Sequence, residues 1–181
     1  MVNQVRLCGY GGQGIVLAGV ILGHAGVLDG KYAAQSSSYG AEARGSACKS
    51  EVVISDEWID FPHVLKTDTL IAMSQPAYDK YCCDVVGEGG VIFHDEELVK
   101  PNAQIGVSHF PIPATQRALE VFDNRLVANT VLLASVVEAT GIVSPLSLKV
   151  ALEQNIGEKH VEINKKALDL GFDLGSKLKK H

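Results

Sequence analysis

The sequence predicts an α/β protein: a layered, mostly parallel sheet with helices on both faces, followed by a C-terminal third that is helical. Three observations predict it. Short apolar runs alternate with longer segments of helical periodicity through the first two thirds of the chain. Two of those runs, DTLIAM (Asp68–Met73) and GVIFH (Gly90–His94), are apolar without alternation, which suits strands covered on both faces. Beyond Pro111–Pro113 no further strand pattern occurs. The chain has 181 residues, is 46% hydrophobic and carries no repeat or linker, so residues 1–181 are expected to form a single domain with a sizeable core.

NQVRLC reads as the first strand; a glycine turn follows, then an apolar helix from about Gln13 to Leu28. KYAAQ is a weaker second strand, and KSEVVIS (Lys49–Ser55), after a polar loop, a stronger third. QPAYDKYCCDVV is helical, with Pro76 in the first turn, where its missing N–H costs nothing. QIGVSHF is the last strand. ATQRALEVF leads into VANTVLLASVVEATG, apolar nearly all round and stopped by Gly141. Ser144 caps the next helix, with Pro145 in its first position. The final helix, from about Glu158, sets Val161, Asn164, Leu168 and Phe172 along one side.

The net charge of −5 argues against a nucleic-acid partner, which requires a basic face; Lys177–Lys180 (KLKK) reads as a solvated helix end. No signal-peptide pattern opens the chain. Ile15–Leu28 is shorter than the ~20 residues that span a bilayer, and His24 interrupts it, so no membrane association and a cytoplasmic location are expected. The four cysteines are expected to be reduced thiols. None forms Cys-x-x-Cys, and the adjacent Cys82 and Cys83 are poor ligands for a common metal, so no metal or iron–sulfur cluster is assigned to this chain. No nucleophile–base pair emerges by spacing, and no catalytic residue is assigned; His94 and His109 read as core or rim histidines.

Gly9, Gly11 and Gly14 fit G-x-G-x-x-G between a strand and a helix, where tight turning and helix-start N–H groups suit a phosphate. A stand-alone nucleotide- or dinucleotide-binding redox module also needs an acidic residue ending the second strand, and Asp29 falls before that strand. Gly9, Gly11, Gly12, Gln13 and Gly14 are therefore candidates for holding a pyrophosphate or carboxylate, the alternative being a tight turn that binds nothing. Arg44 and Ser46, with Tyr39 and Glu42, crowd a polar loop; Arg44 suits a phosphate, a partner's carboxylate or solvent. Gly19, Gly23 and Gly26 share one bare helical face, open either to the chain's own sheet or to another subunit. Asn129 and Asn164 read as anchors, and Trp58, Phe61 and Pro62 as cover for a core edge or an interface.

Gly9-Tyr10-Gly11-Gly12-Gln13-Gly14 and the helix behind it, then YGAEARGS, VVISD, IDFPHV, DTLIAM, GGVIFHDEELV, VANTVLLASVVEATGIV and EINKKALDLG, resemble the gamma subunit of 2-oxoacid:ferredoxin oxidoreductases over nearly the whole chain. The nearest likeness is to the 2-oxoglutarate type. The resemblance implies an enzyme that oxidatively decarboxylates a 2-oxoacid with coenzyme A and passes electrons to ferredoxin. It implies that thiamine diphosphate, its magnesium and the iron–sulfur clusters sit on partner subunits, including a ferredoxin-like one. This chain would contribute subunit contacts and part of the coenzyme A site, with Gly9, Gly11, Gly12, Gln13, Gly14, Arg44 and Ser46 as its binding residues. Alone it would be inactive, and its apolar first helix suits a homodimer. The family often has Arg-Gly-Gly where this chain has Arg44-Gly45-Ser46, which puts the local loop shape in question. A purely structural interaction subunit is the remaining alternative.

Overall fold

Strand β1 (Val2–Tyr10) is a central strand of the sheet, and what flanks it differs on its two sides. The computed structural model describes residues 1–38, 47–85 and 89–178; Tyr39, Glu42, Arg44 and Ser46 lie outside the described residues. β2 (Tyr32–Ser38), β3 (Ala47–Ser55), β4 (Thr69–Ala72), β5 (Val91–Asp95) and β6 (Ser108–Ile112) complete a six-stranded sheet of order β2-β3-β1-β4-β5-β6. β1, β4, β5 and β6 run parallel, with Val5 opposite Thr69 and Thr69 opposite Val91. β3 is antiparallel to both β1 and β2, pairing Val2 with Ser55 and Tyr32 with Ser55. The sheet is thus mostly parallel but mixed at one edge. β2 and β3 follow each other too closely for the crossover of a dozen or more residues that parallel pairing demands.

The helices are α1 (Ile15–Leu28), α2 (Gln75–Tyr81), α3 (Ala114–Phe122), α4 (Ala128–Thr140), α5 (Pro145–Asn155) and α6 (Glu158–Leu178). Side chains alternate across each strand, so one face takes Val5, Leu7, Val52, Ile54, Ile71 and Phe93 into a core with Leu132, Leu148 and Leu168 of α4, α5 and α6. The other face sends Cys8, Leu70, Ala72 and Ile92 against Tyr78 and Tyr81 of α2. There Arg6, almost fully buried, donates through Nε and Nη2 to Glu51 at 2.9 and 2.7 Å and pairs with Asp84 through Nη1. Lys49 joins at 2.9 Å. Burial would raise the Glu51 carboxyl, but hydrogen bonds from Lys49 and Arg6 outweigh it and hold its pKa below the ordinary value. No helix among the described residues is long and apolar enough to cross a membrane.

The bare face of α1 rests on the chain's own sheet. Gly19 lies over Ser50 and Gly26 over Ile54, where an added Cβ would come within 3.3 Å of the isoleucine. Val20 and Val27, on another side of the helix, stay exposed. Sheet packing thereby compensates the helix cost of these glycines, up to ~1 kcal/mol each relative to alanine.

Candidate functional site

β1 delivers the glycine turn to the carboxyl end of the parallel strands. The chain leaves β1 for β2 on one side of it, and leaves β4 for β5 on the other. The β1/β4 boundary is therefore the topological switch point, the place where open α/β sheets bind ligands. Gly12 and Gln13, just after β1, and Met73, just after β4, line a cavity of about 210 Å³ there, with Thr115, Arg125 and Leu126.

Each glycine of the turn has a separate reason. Gly9 is buried in β1, and a Cβ on it would press to 2.9 Å from the Ile15 side chain and against the Gln13 amide. Gly12 takes φ of +100° with nothing within 4 Å of where a Cβ would stand, so it presents bare backbone to open space. Gly14 takes φ of +72° as the residue capping α1, and a Cβ there would strike the amide of Asn129. Gly11 is half-buried between them. The Gln13 side chain closes the turn: its Oε1 accepts from the Tyr10 N–H at 2.6 Å, and its Nε2 donates to the Met73 carbonyl at 2.9 Å. It ties the ends of β1 and β4 together at the cavity wall.

Two helix starts meet at this point. α1 has neither a side-chain cap nor an acidic residue in its first turn, so its N-terminal partial charge is uncompensated. Asn129, at the start of α4, donates to the Gly14 carbonyl at 3.3 Å and accepts from the Thr130 N–H at 2.8 Å. Asn164 accepts from the Thr130 hydroxyl at 2.7 Å and donates to the His160 carbonyl at 2.9 Å. Both asparagines are anchors. They also line a second cavity of about 260 Å³ that shares Gly12 and Leu126 with the first.

Arg125 was not singled out from the sequence. It is exposed beside the turn, on a 3-10 turn (Arg125–Val127), and forms no ion pair among the described residues. No motif surrounds it. Only the fold brings it to Gly12, so its one sequence signal was a cation beside the apolar run that became α4.

The remaining candidates are accounted for by packing. Asp29, the acid nearest the spacing of a ribose ligand, accepts from the Ser144 N–H and hydroxyl at 2.6 and 2.7 Å and from the Ser147 hydroxyl at 2.6 Å. Burial would raise its pKa, yet these bonds and the Lys31 charge hold it below the ordinary value. His109 accepts at Nε2 from the Tyr78 hydroxyl, 2.9 Å, and its other nitrogen meets the Val107 carbonyl at 3.0 Å. Burial lowers the pKa of His94, whose Nε2 is buried without a partner. Cys8, Cys48 and Cys82 are buried free thiols, and Cys83 is exposed. Among the described residues, no group of three or more His, Cys, Asp or Glu side chains is arranged to hold a metal ion.

The family model for pyruvate ferredoxin/flavodoxin oxidoreductase matches residues 4–174. The chain is 47% identical over 181 residues to the 2-oxoglutarate synthase subunit KorC of Methanocaldococcus jannaschii, covering 98% of this chain and 96% of that one. The gamma subunit of a keto/oxoacid ferredoxin oxidoreductase from Geobacter sulfurreducens is similar with a TM-score of 0.85 and 37% identity, over 98% of both chains. A 2-oxoglutarate:ferredoxin oxidoreductase from Magnetococcus marinus, solved with 2-oxoglutarate, coenzyme A and succinyl-CoA bound, is similar with a TM-score of 0.88 and 25% identity. That likeness covers 99% of this chain and 32% of the other.

Proposed function

The chain belongs to the pyruvate ferredoxin/flavodoxin oxidoreductase family, and we propose that it is the gamma subunit of a 2-oxoglutarate-type 2-oxoacid:ferredoxin oxidoreductase. The complete enzyme converts a 2-oxoacid, coenzyme A and oxidised ferredoxin to an acyl-CoA, carbon dioxide and reduced ferredoxin. Thiamine diphosphate, magnesium and iron–sulfur clusters belong to the partner chains, among them a ferredoxin-like one. This chain supplies subunit contacts and part of the coenzyme A site.

The observation that carries the local reading is the conjunction of Gly12 and Arg125 at one cavity of the switch point. Gly12 offers unobstructed backbone, the uncapped start of α1 offers N–H donors, and Arg125 offers a forked cation without an ion pair among the described residues. Such a set suits the pyrophosphate of coenzyme A. Gly9 and Gly14 act as shaping residues rather than contacts, because the first is buried and both are pressed by side chains. Arg44 and Ser46 are retained as further candidates from the family resemblance.

The test uses the reconstituted enzyme. Arg125→Ala should raise the KM for coenzyme A about tenfold, equivalent to ~1.4 kcal/mol of binding, with kcat little changed. Gly12→Ala should do the same. A second reading, a turn that serves only as a joint, draws on the Gln13 amide, which already spans Tyr10 and Met73. That reading wins if the complex forms and both variants keep the parental KM for coenzyme A.

A further inference from the structure

At the end of β1 away from the glycine turn, the loop between β3 and β4 carries large apolar side chains in solvent. Trp58 is 73% exposed, Leu65 73% and Phe61 54%. Tyr32, at the start of edge strand β2, meets Trp58 edge to face with centroids 5.6 Å apart, and His63 stands against Phe61 at 5.2 Å. Under these rings is a recess of about 190 Å³ walled by Val2, Val53 and Ile59. A monomer rarely leaves a contiguous aromatic patch in water without a use for it, and tryptophan and tyrosine lead the residues that anchor interfaces.

The charges around the patch define its occupant. Asp56, Glu57 and Asp60 are exposed on the same loop. Asp56 is paired with the chain's amino terminus at 2.7 Å, while Glu57 and Asp60 have no ion pair among the described residues. The Lys31 charge also acts on Asp56, and Lys66 is the one exposed lysine or arginine within the loop, so Glu57 and Asp60 are the acidic side chains left to meet a partner. We propose that residues 56–68 form a docking surface, anchored by Trp58, for a partner protein surface that presents arginine or lysine around an apolar recess. This rests on the chain being one component of a multi-subunit oxidoreductase. Nine residues of β1 separate the patch from the glycine turn by roughly 25 Å, so the docking surface is distinct from the candidate coenzyme A site. An acidic second copy or an acidic electron carrier would meet like charge here.

Trp58 is the single tryptophan of the chain, which makes the patch directly observable. The chain is produced with 5-fluorotryptophan and titrated with the purified companion chains of the oxidoreductase. On assembly the fluorine resonance should move and lose its water-to-deuterium-oxide shift. Trp58→Ala should weaken assembly at least about 30-fold without changing the unfolding midpoint of the isolated chain. Glu57→Lys with Asp60→Lys should weaken it too and flatten its salt dependence. A complex that assembles with Trp58 still in solvent, or equally well with Trp58→Ala, overturns the docking surface and leaves the function standing. A shift that grows with concentration of this chain alone overturns it in favour of a second copy. If no companion chain binds the parent protein, the functional reading fails and the docking surface with it.

Discussion

The two ends of α1 are held by opposite means. At its C-terminal end, Asp29 gathers three hydrogen bonds from Ser144 and Ser147, and Lys31 donates to the Ile142 carbonyl at 3.0 Å, so the helix is tied to the start of α5 by charged groups. At its N-terminal end there is no side-chain cap, two residues have left-handed backbone, and a single long bond from Asn129 supports Gly14. One end has its polar groups partnered within the chain. The other leaves N–H donors facing cavities. The difference teaches where a fold keeps binding capacity: at the end of a helix whose backbone it has left unsatisfied.

The largest effect is expected at the open end. Gly14→Ala combines ~1–2 kcal/mol of left-handed strain with displacement of Asn129, for a total loss of about 2–3 kcal/mol in urea unfolding. Adding Asn129→Ala removes the collision but not the strain, so the double variant should lose less than the sum of the two. Full additivity would mean that Asn129 and Gly14 do not touch in solution.

Asp29→Ala tests the closed end. It leaves the Ser144 and Ser147 groups without their acceptor and should cost about 2 kcal/mol at neutral pH. The folded pKa of Asp29 lies below its unfolded value, so its stabilisation is complete above the ordinary carboxylate range of about 4. It is lost as the pH falls through the lower folded value. The gap between parent and variant should therefore narrow below about pH 4. A gap that stays constant down to pH 2 would mean that the carboxylate charge contributes nothing there.

Much of this contrast was legible in the sequence, and the parts that were not have physical reasons. The strand–glycine–helix order located the turn, because φ values above zero restrict it to glycine. Asp29 was recognised as misplaced for a ribose, but its bonds to Ser144 and Ser147 cross more than a hundred positions and leave no local pattern. The mostly parallel sheet was legible, but the antiparallel direction of β3 beside β1 and β2 was not, since a buried strand has the same composition in either direction. Arg125 reaches the turn only through the packing of α4 against the sheet. The bare face of α1 was equally compatible with a partner, and only the positions of Ser50, Val52 and Ile54 assign it to the chain's own sheet.

Between its ends, α1 offers a graded test of that packing. At Gly19 a Cβ would collide with Ser50, including its Cβ at 2.9 Å, so Gly19→Ala should cost about 1 kcal/mol after its gain in helix propensity. Unfolding by urea measures it, and no loss would mean that α1 stands off β3.

Gly23→Ala, one turn further, should have the smallest effect and the opposite sign. The nearest atom to its new Cβ is on Val52 at 3.7 Å, followed by Gln35 at 3.9 Å, both ordinary contact distances. Nothing must move, the backbone is already helical, and the unfolded chain loses freedom that glycine alone allowed. A gain of about 0.5–1 kcal/mol is expected in the urea midpoint, read at unchanged slope. If the isolated chain gains this stability while the assembled enzyme keeps its activity, the bare face is a close fit to β3 and has no second occupant. If stability rises but assembly with the companion chains weakens, the space beside Gly23 is one that a partner enters, and the middle of α1 belongs with its open end.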